Sequence, residues 1–126
     1  MKISECLKMA LALISNRDCW TRNEMARDCY DLPCRADSPC ASKWCGLGAV
    51  RKVARDAHMR GHFVLDCNRY LNDAAGVPFR NLNDEQGHDD VLVCFSTAIR
   101  RAEENESVIQ QTDADAAGTG KDSNTK

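Results

Sequence analysis

The sequence predicts an all-α protein: one compact domain of four to five helices over residues 1–103, then a disordered acidic tail over 104–126. Three observations predict it. Apolar residues recur at helical spacing in several segments. No segment alternates with period two for long, so no strand is expected. From Glu104 onward only Val108 and Ile109 interrupt a polar run, which leaves little apolar surface to offset ordering entropy.

The first helix rests on Ile3, Leu7, Ala10, Leu11 and Ile14, with Ser4 as N-cap and Ser15-Asn16 as stop. Thr21 and Glu24 form a capping box for a short second helix that presents Met25 and Cys29, with Trp20 as staple. Asp31-Leu32-Pro33 and Asp37-Ser38-Pro39 are turn signals. Ser38 then Pro39 also reads as N-cap and N1 of a third helix, running through Trp44-Cys45 to about Asp56. Its buried face carries Cys45, Ala49 and Val53. A fourth helix follows Gly61, with Phe63, Cys67, Tyr70, Leu71 and Ala74 as its stripe, and Gly76 with Pro78 ends it. Residues 77–86 read as a loop. The last helix starts near Gly87, with Asp89 and Asp90 in the first turn, where the macrodipole favours acids.

Length and charge bound the function. The chain has 126 residues and a net charge of −2. Residues 104–126 carry five acids and two lysines, so the body is nearly neutral and gives no global footprint for nucleic acid. One local excess exists, in Lys43, Arg51, Lys52, Arg55 and Arg60, and its simplest reading is a solvated helix face. No signal peptide precedes the first helix and no run is apolar enough to span a bilayer. A cytoplasmic protein is expected, with no membrane association and its eight cysteines largely reduced.

The sharpest local feature is Trp44-Cys45-Gly46-Leu47-Gly48-Ala49. Two glycines in three positions each cost about 1 kcal/mol in a helix, so something must come close to that backbone. Helix packing is the favoured reason, because no strand-borne P-loop signature accompanies them. Together with Asn83-Asp84 and Val91-x-x-x-Phe95-x-x-Ala98-Ile99, this pattern resembles an uncharacterised family of small proteins from bacteria and their phages. The resemblance spans roughly residues 3–102 and implies a mainly helical domain, often in a phage or prophage setting.

Two constellations could carry chemistry. Cys40-x4-Cys45-x12-His58-x3-His62 fits the spacing of a Cys2His2 zinc site. The two large apolar residues such a finger needs are absent, with Ala49 and Arg55 in their places, and Gly61 lies between the histidines. A second zinc set, drawn from Cys29, Cys34, Cys40 and Cys45, lacks a tight C-x2-C knuckle. Cys45 with His88 and Asp84 offers a nucleophile, base and orienting acid. Cys45 reads as mid-helix, which argues for a small core residue instead. Asn83 and Asp84 read as residues that tie down a loop by side-chain to backbone bonds.

The expectation is therefore an accessory protein that acts by macromolecular binding, through a protein partner rather than nucleic acid, and that modulates a host process or a defence system. No cofactor is expected, with zinc as the alternative, and the reading leans against an enzyme without deciding it. The alternatives are a zinc-stabilised nucleic-acid module and a Cys45-dependent hydrolase or transferase.

Overall fold

The computed structural model describes residues 1–117, with side chains described through residue 109. Five helices are present: α1 (Ile3–Ile14), α2 (Gly46–Asp56), α3 (Gly61–Ala75), α4 (Phe79–Glu85) and α5 (His88–Ala117). Between α1 and α2 lie a turn of 3-10 helix (Arg17–Cys19) and strands β1 (Ala26–Asp28), β2 (Pro33–Cys34) and β3 (Ala41–Trp44). The strands form one antiparallel sheet in the order β2-β1-β3. The all-α expectation is thus overturned: the fold is mixed.

The reason is strand length. β1, β2 and β3 have three, two and four residues, at or below the shortest run in which alternation can be read. The Thr21 capping box also serves another end. Thr21 Oγ1 accepts from Arg27 Nε (2.9 Å) and Thr21 N donates to Trp44 O (3.0 Å), so the segment enters a sheet, not a helix. Ser38-Pro39 likewise makes a turn: Ser38 Oγ accepts from Cys40 N and Ser38 O from Ala41 N. The third expected helix therefore begins only at Gly46.

The other helices lie where their stripes put them. The Gly76 C-cap of α3 is left-handed at φ 73°, the conformation glycine adopts without a Cβ penalty. Residues 77–86, expected as a loop, hold α4, whose first N–H at Phe79 is received by Asn72 Oδ1 at 2.7 Å. Ser4 is not the N-cap of α1. It lies inside the first turn, buried, with its N and Oγ both donating to the Glu106 carboxylate (3.1 and 2.6 Å).

That last contact ties the first helix to the last. α5 runs antiparallel to α1, since His88 contacts Ile14 O at one end and Glu106 meets Ser4 at the other. Lys8 and Glu103 pair between them at 2.6 Å. The helix continues through 104–117, a stretch expected as tail, while residues 118–126 of that expected tail lie outside the described residues.

The core gathers one apolar face from each helix: Leu7 and Ile14, Val50, Leu71, Phe79, then Val91 and Phe95 are all essentially inaccessible. Phe79 and Phe95 meet edge to face with centroids 5.7 Å apart, a geometry worth about 1 kcal/mol beyond its buried area. Among the described residues no helix is long and apolar enough to cross a membrane.

Candidate functional site

Two regions hold the residues singled out by sequence. The first is the β3–α2 junction. Trp44 ends β3, buried, and its indole donates to Ala36 O at 2.9 Å. Cys45 is the N-cap of α2, not a mid-helix residue: its Sγ accepts from Gly48 N at 3.2 Å. Cys45 N donates to Met25 O (3.2 Å), which draws the residue preceding β1 against the start of the helix.

This approach explains the glycines. A Cβ on Gly48 would lie 1.9 Å from Met25 O, a backbone atom that cannot step aside. A Cβ on Gly46 would lie 2.4 Å from the Phe79 ring and 3.0 Å from Phe95. Gly46 thus lets two helices close over the turn, and Gly48 lets the sheet-side segment touch it.

Asn83 holds the junction from the other side. It is 2% exposed and sits on α4. Its Oδ1 accepts from Gly46 N (3.0 Å) and from Trp20 Nε1 (3.0 Å). Two donors at one atom fix the amide orientation, since only the carbonyl end can accept both. Its Nδ2 donates to Thr21 O and to Asp84 Oδ1, both at 3.2 Å. Asp84 Oδ1 also accepts from Asn23 N at 2.9 Å, a residue at φ 68°. Asn83 therefore makes all four of its bonds, and α2, α4 and the 20–23 segment meet on one amide.

A cavity of about 120 Å³ opens here, lined in part by Met25, Cys45, Leu47, Arg80, Asn83 and Asp84. That is below the roughly 300 Å³ at which ligand pockets begin, so it has room for water and not for a substrate of ordinary size. Burial pushes the Cys45 thiol up from its ordinary value, and the N–H groups of Gly48 and Leu47 only partly oppose this. The thiol is protonated at neutral pH and a poor nucleophile.

The expected base is elsewhere. His88 is buried at the start of α5, with Nε2 2.7 Å from Ile14 O and its ring against Trp20 at a 5.3 Å centroid distance. It does not line the Cys45 cavity. The structure brings Cys45, Asn83 and Asp84 together and leaves His88 out.

The zinc constellation is not gathered either. Cys45 is buried in its cap, while Cys40, His58 and His62 are exposed, His58 at φ 59°. Cys29 is exposed on the β1–β2 turn and Cys34 half-buried in β2. Among the described residues no three Cys, His, Asp or Glu side chains group as a metal site.

The second region is a cleft of about 1120 Å³. One wall is the sheet side, with Met25, Cys34, Arg35 and Asp37; the other is α2, the link after it and the start of α3, with Arg51, Arg55, Met59 and Leu65. Of the five basic residues in the sequence cluster, Arg51 and Arg55 line it. Arg60 is exposed and is not among the lining residues, though it precedes Gly61, which is. Lys43 and Lys52 are neutralised by Asp31 (3.2 Å) and Asp56 (3.0 Å). Asp37 binds Arg35 on its own wall at 3.0 Å and lies 3.8 Å from Arg55 on the opposite one. The Arg35 guanidinium holds the Asp37 carboxyl below the usual carboxylate range.

Arg35, Met59 and Leu65 carry no sequence signal of their own, because they face Arg51 and Arg55 only through the folded sheet and α3. Leu65 stands out only in the structure, as an apolar residue on α3 that stays 64% exposed.

Residues 1–101 match the model of a family of unknown function (DUF6197). The chain belongs to this family. The match covers the whole junction and the whole cleft. No curated protein and no solved structure matches the chain.

Proposed function

We propose that the chain is a small accessory protein, of phage or prophage type, that works by binding a partner protein in the cleft between the sheet and α2–α3. The observation that carries this reading is the cleft itself. It is about 1120 Å³, with methionine and leucine among its lining residues and arginines at its edge. Methionine packs adaptably against varied surfaces, and arginine is enriched where proteins meet. By contrast, the Cys45 cavity is small, its polar groups are paired, and its thiol is held protonated by burial. A host-process or defence role belongs to the same reading and follows from which partner is bound.

Affinity capture from a bacterial lysate tests it, with wild-type bait beside Arg51→Glu, Leu65→Glu and a distant control, Arg100→Glu. Arg100 is exposed on α5, outside the cleft. A protein retained by wild type and the control, and lost by both cleft variants, is the expected result. Capture indifferent to the cleft variants would sink the reading.

A further inference from the structure

Resting on the cleft reading above, we propose that the occupant is a short acidic segment of the partner protein, carrying apolar side chains between its carboxylates. Charge decides the sign. Asp37 already takes Arg35 and Arg55 as partners. Arg51 lines the cleft, and among the described residues it makes no ion pair or side-chain hydrogen bond. The exposed Arg51 guanidinium thus stands un-neutralised in the cleft, whose lining carries three arginines (Arg35, Arg51, Arg55) against two carboxylates (Glu24, Asp37). A guanidinium pairs best with a carboxylate, in a planar two-bond fork. The Asp37–Arg35 pair shows the carboxylate partner inside the molecule, through one bond at 3.0 Å.

The apolar half of the occupant follows from the walls. Met25, Met59, Val64 and Leu65 line the same cleft, and Leu65 is 64% exposed. An exposed leucine beside methionines gains from an apolar side chain laid over it, about 25 cal/mol per Å² covered. A segment alternating the two chemistries meets both sets of groups at once.

Nucleic acid fits worse. No Phe, Tyr or Trp lines the cleft, so bases find no ring on which to stack. A phosphate backbone carries no apolar side chains between its charges and would leave Met25, Met59, Val64 and Leu65 uncovered. Lys43 and Lys52, which would extend a phosphate track, are already paired.

Fluorescence anisotropy with the full chain tests the assignment. The probes are labelled peptides of alternating leucine and glutamate, leucine and lysine, and serine and glutamate, with a labelled thymidine oligonucleotide as a fourth. The leucine–glutamate peptide should bind most tightly, and weaken roughly tenfold with Arg51→Glu and again as salt is raised. Arg51→Gln, which removes the charge without reversing it, should give a smaller loss, and Arg100→Glu none. Equal binding of the lysine peptide, tighter binding of the oligonucleotide, or no binding by the leucine–glutamate peptide would overturn the assignment. If lysate capture still depended on the cleft in that case, the broader reading would survive and only the acidic occupant would fall.

Discussion

The β3–α2 junction and the cleft meet at one short segment, since Glu24 and Met25 line both cavities. They differ in how their polar groups are used. At the junction Asn83 makes four hydrogen bonds, Cys45 caps a helix, and both glycines are pressed against neighbours. In the cleft Arg51 has no partner among the described residues and Leu65 faces water. A saturated region does structural work and gains nothing from a ligand. A region with unspent charge and exposed apolar surface is where a ligand lowers the free energy. The residues with the strongest sequence signature fall in the first region, and the binding surface falls in the second.

That contrast can be broken by mutation, and the largest effect is expected at Gly48. Gly48→Ala places a methyl 1.9 Å from the Met25 carbonyl, so urea unfolding should report a loss of about 3 kcal/mol or more, or no folded protein. Gly46→Ala, facing the buried Phe79 ring at 2.4 Å, should approach it. A loss under about 1 kcal/mol at both positions would show that the junction yields easily and that its glycines need another explanation.

Asn83→Ala comes next. It leaves Trp20 Nε1, Gly46 N and Thr21 O without their partner. Each orphaned buried group costs about 1–3 kcal/mol, and water entering the neighbouring cavity offsets part of this. A net loss of about 3 kcal/mol is expected in the same unfolding assay. Trp20 fluorescence should shift toward that of a hydrated indole.

Cys45 sharpens the contrast through chemistry. Exposed Cys29 and Cys40 should react with a thiol probe well before Cys45, which is 8% exposed. Because burial raises its pKa above the ordinary thiol value of 9.0, labelling of Cys45 should stay slow through neutral pH. The sign for stability is the same: the contribution of this thiol is complete below the ordinary value and is lost as pH rises through the raised one. Fast labelling of Cys45 at pH 7 would restore the nucleophile alternative. Cys45→Ser keeps an acceptor for Gly48 N and should cost no more than about 1 kcal/mol.

The smallest stability effects are expected in the cleft. Arg51→Glu and Leu65→Glu change exposed side chains and should move stability by no more than about 0.5 kcal/mol, while abolishing partner capture. If either variant unfolded the protein as Asn83→Ala does, the division between a structural junction and a binding cleft would be wrong.

Four helices were legible in the sequence, three of them with their starts close to where the structure has them. α1, α3 and α5 each carry an apolar stripe long enough for the 3.6-residue period to show. α2 was legible in its body but not at its start, because Ser38-Pro39 looks like a helix N-terminus and makes a turn. α4 is seven residues long and takes its first hydrogen bond from Asn72 on α3, a partner invisible to local patterning. The strands were hidden by their brevity. Of the site, the close approach at Gly46 and Gly48 was legible, because glycines in a helix need a reason; Asn83 reads as a loop residue, and its burial on α4 was not legible.

What the sequence determined by itself was therefore the local and the costly: which segments have an apolar face, and where the backbone must pass close to something. Tertiary structure alone decided what the close neighbour was. It set the Met25 carbonyl over Gly48 and the Asn83 amide beside Gly46 N. It also turned the Arg51 and Arg55 face of α2 toward Arg35 and Asp37. The physical reason is range. Helical periodicity is encoded within a few turns of chain. A hydrogen bond from residue 83 to residue 46, or a cleft between residues 35 and 65, exists only once the intervening chain has packed.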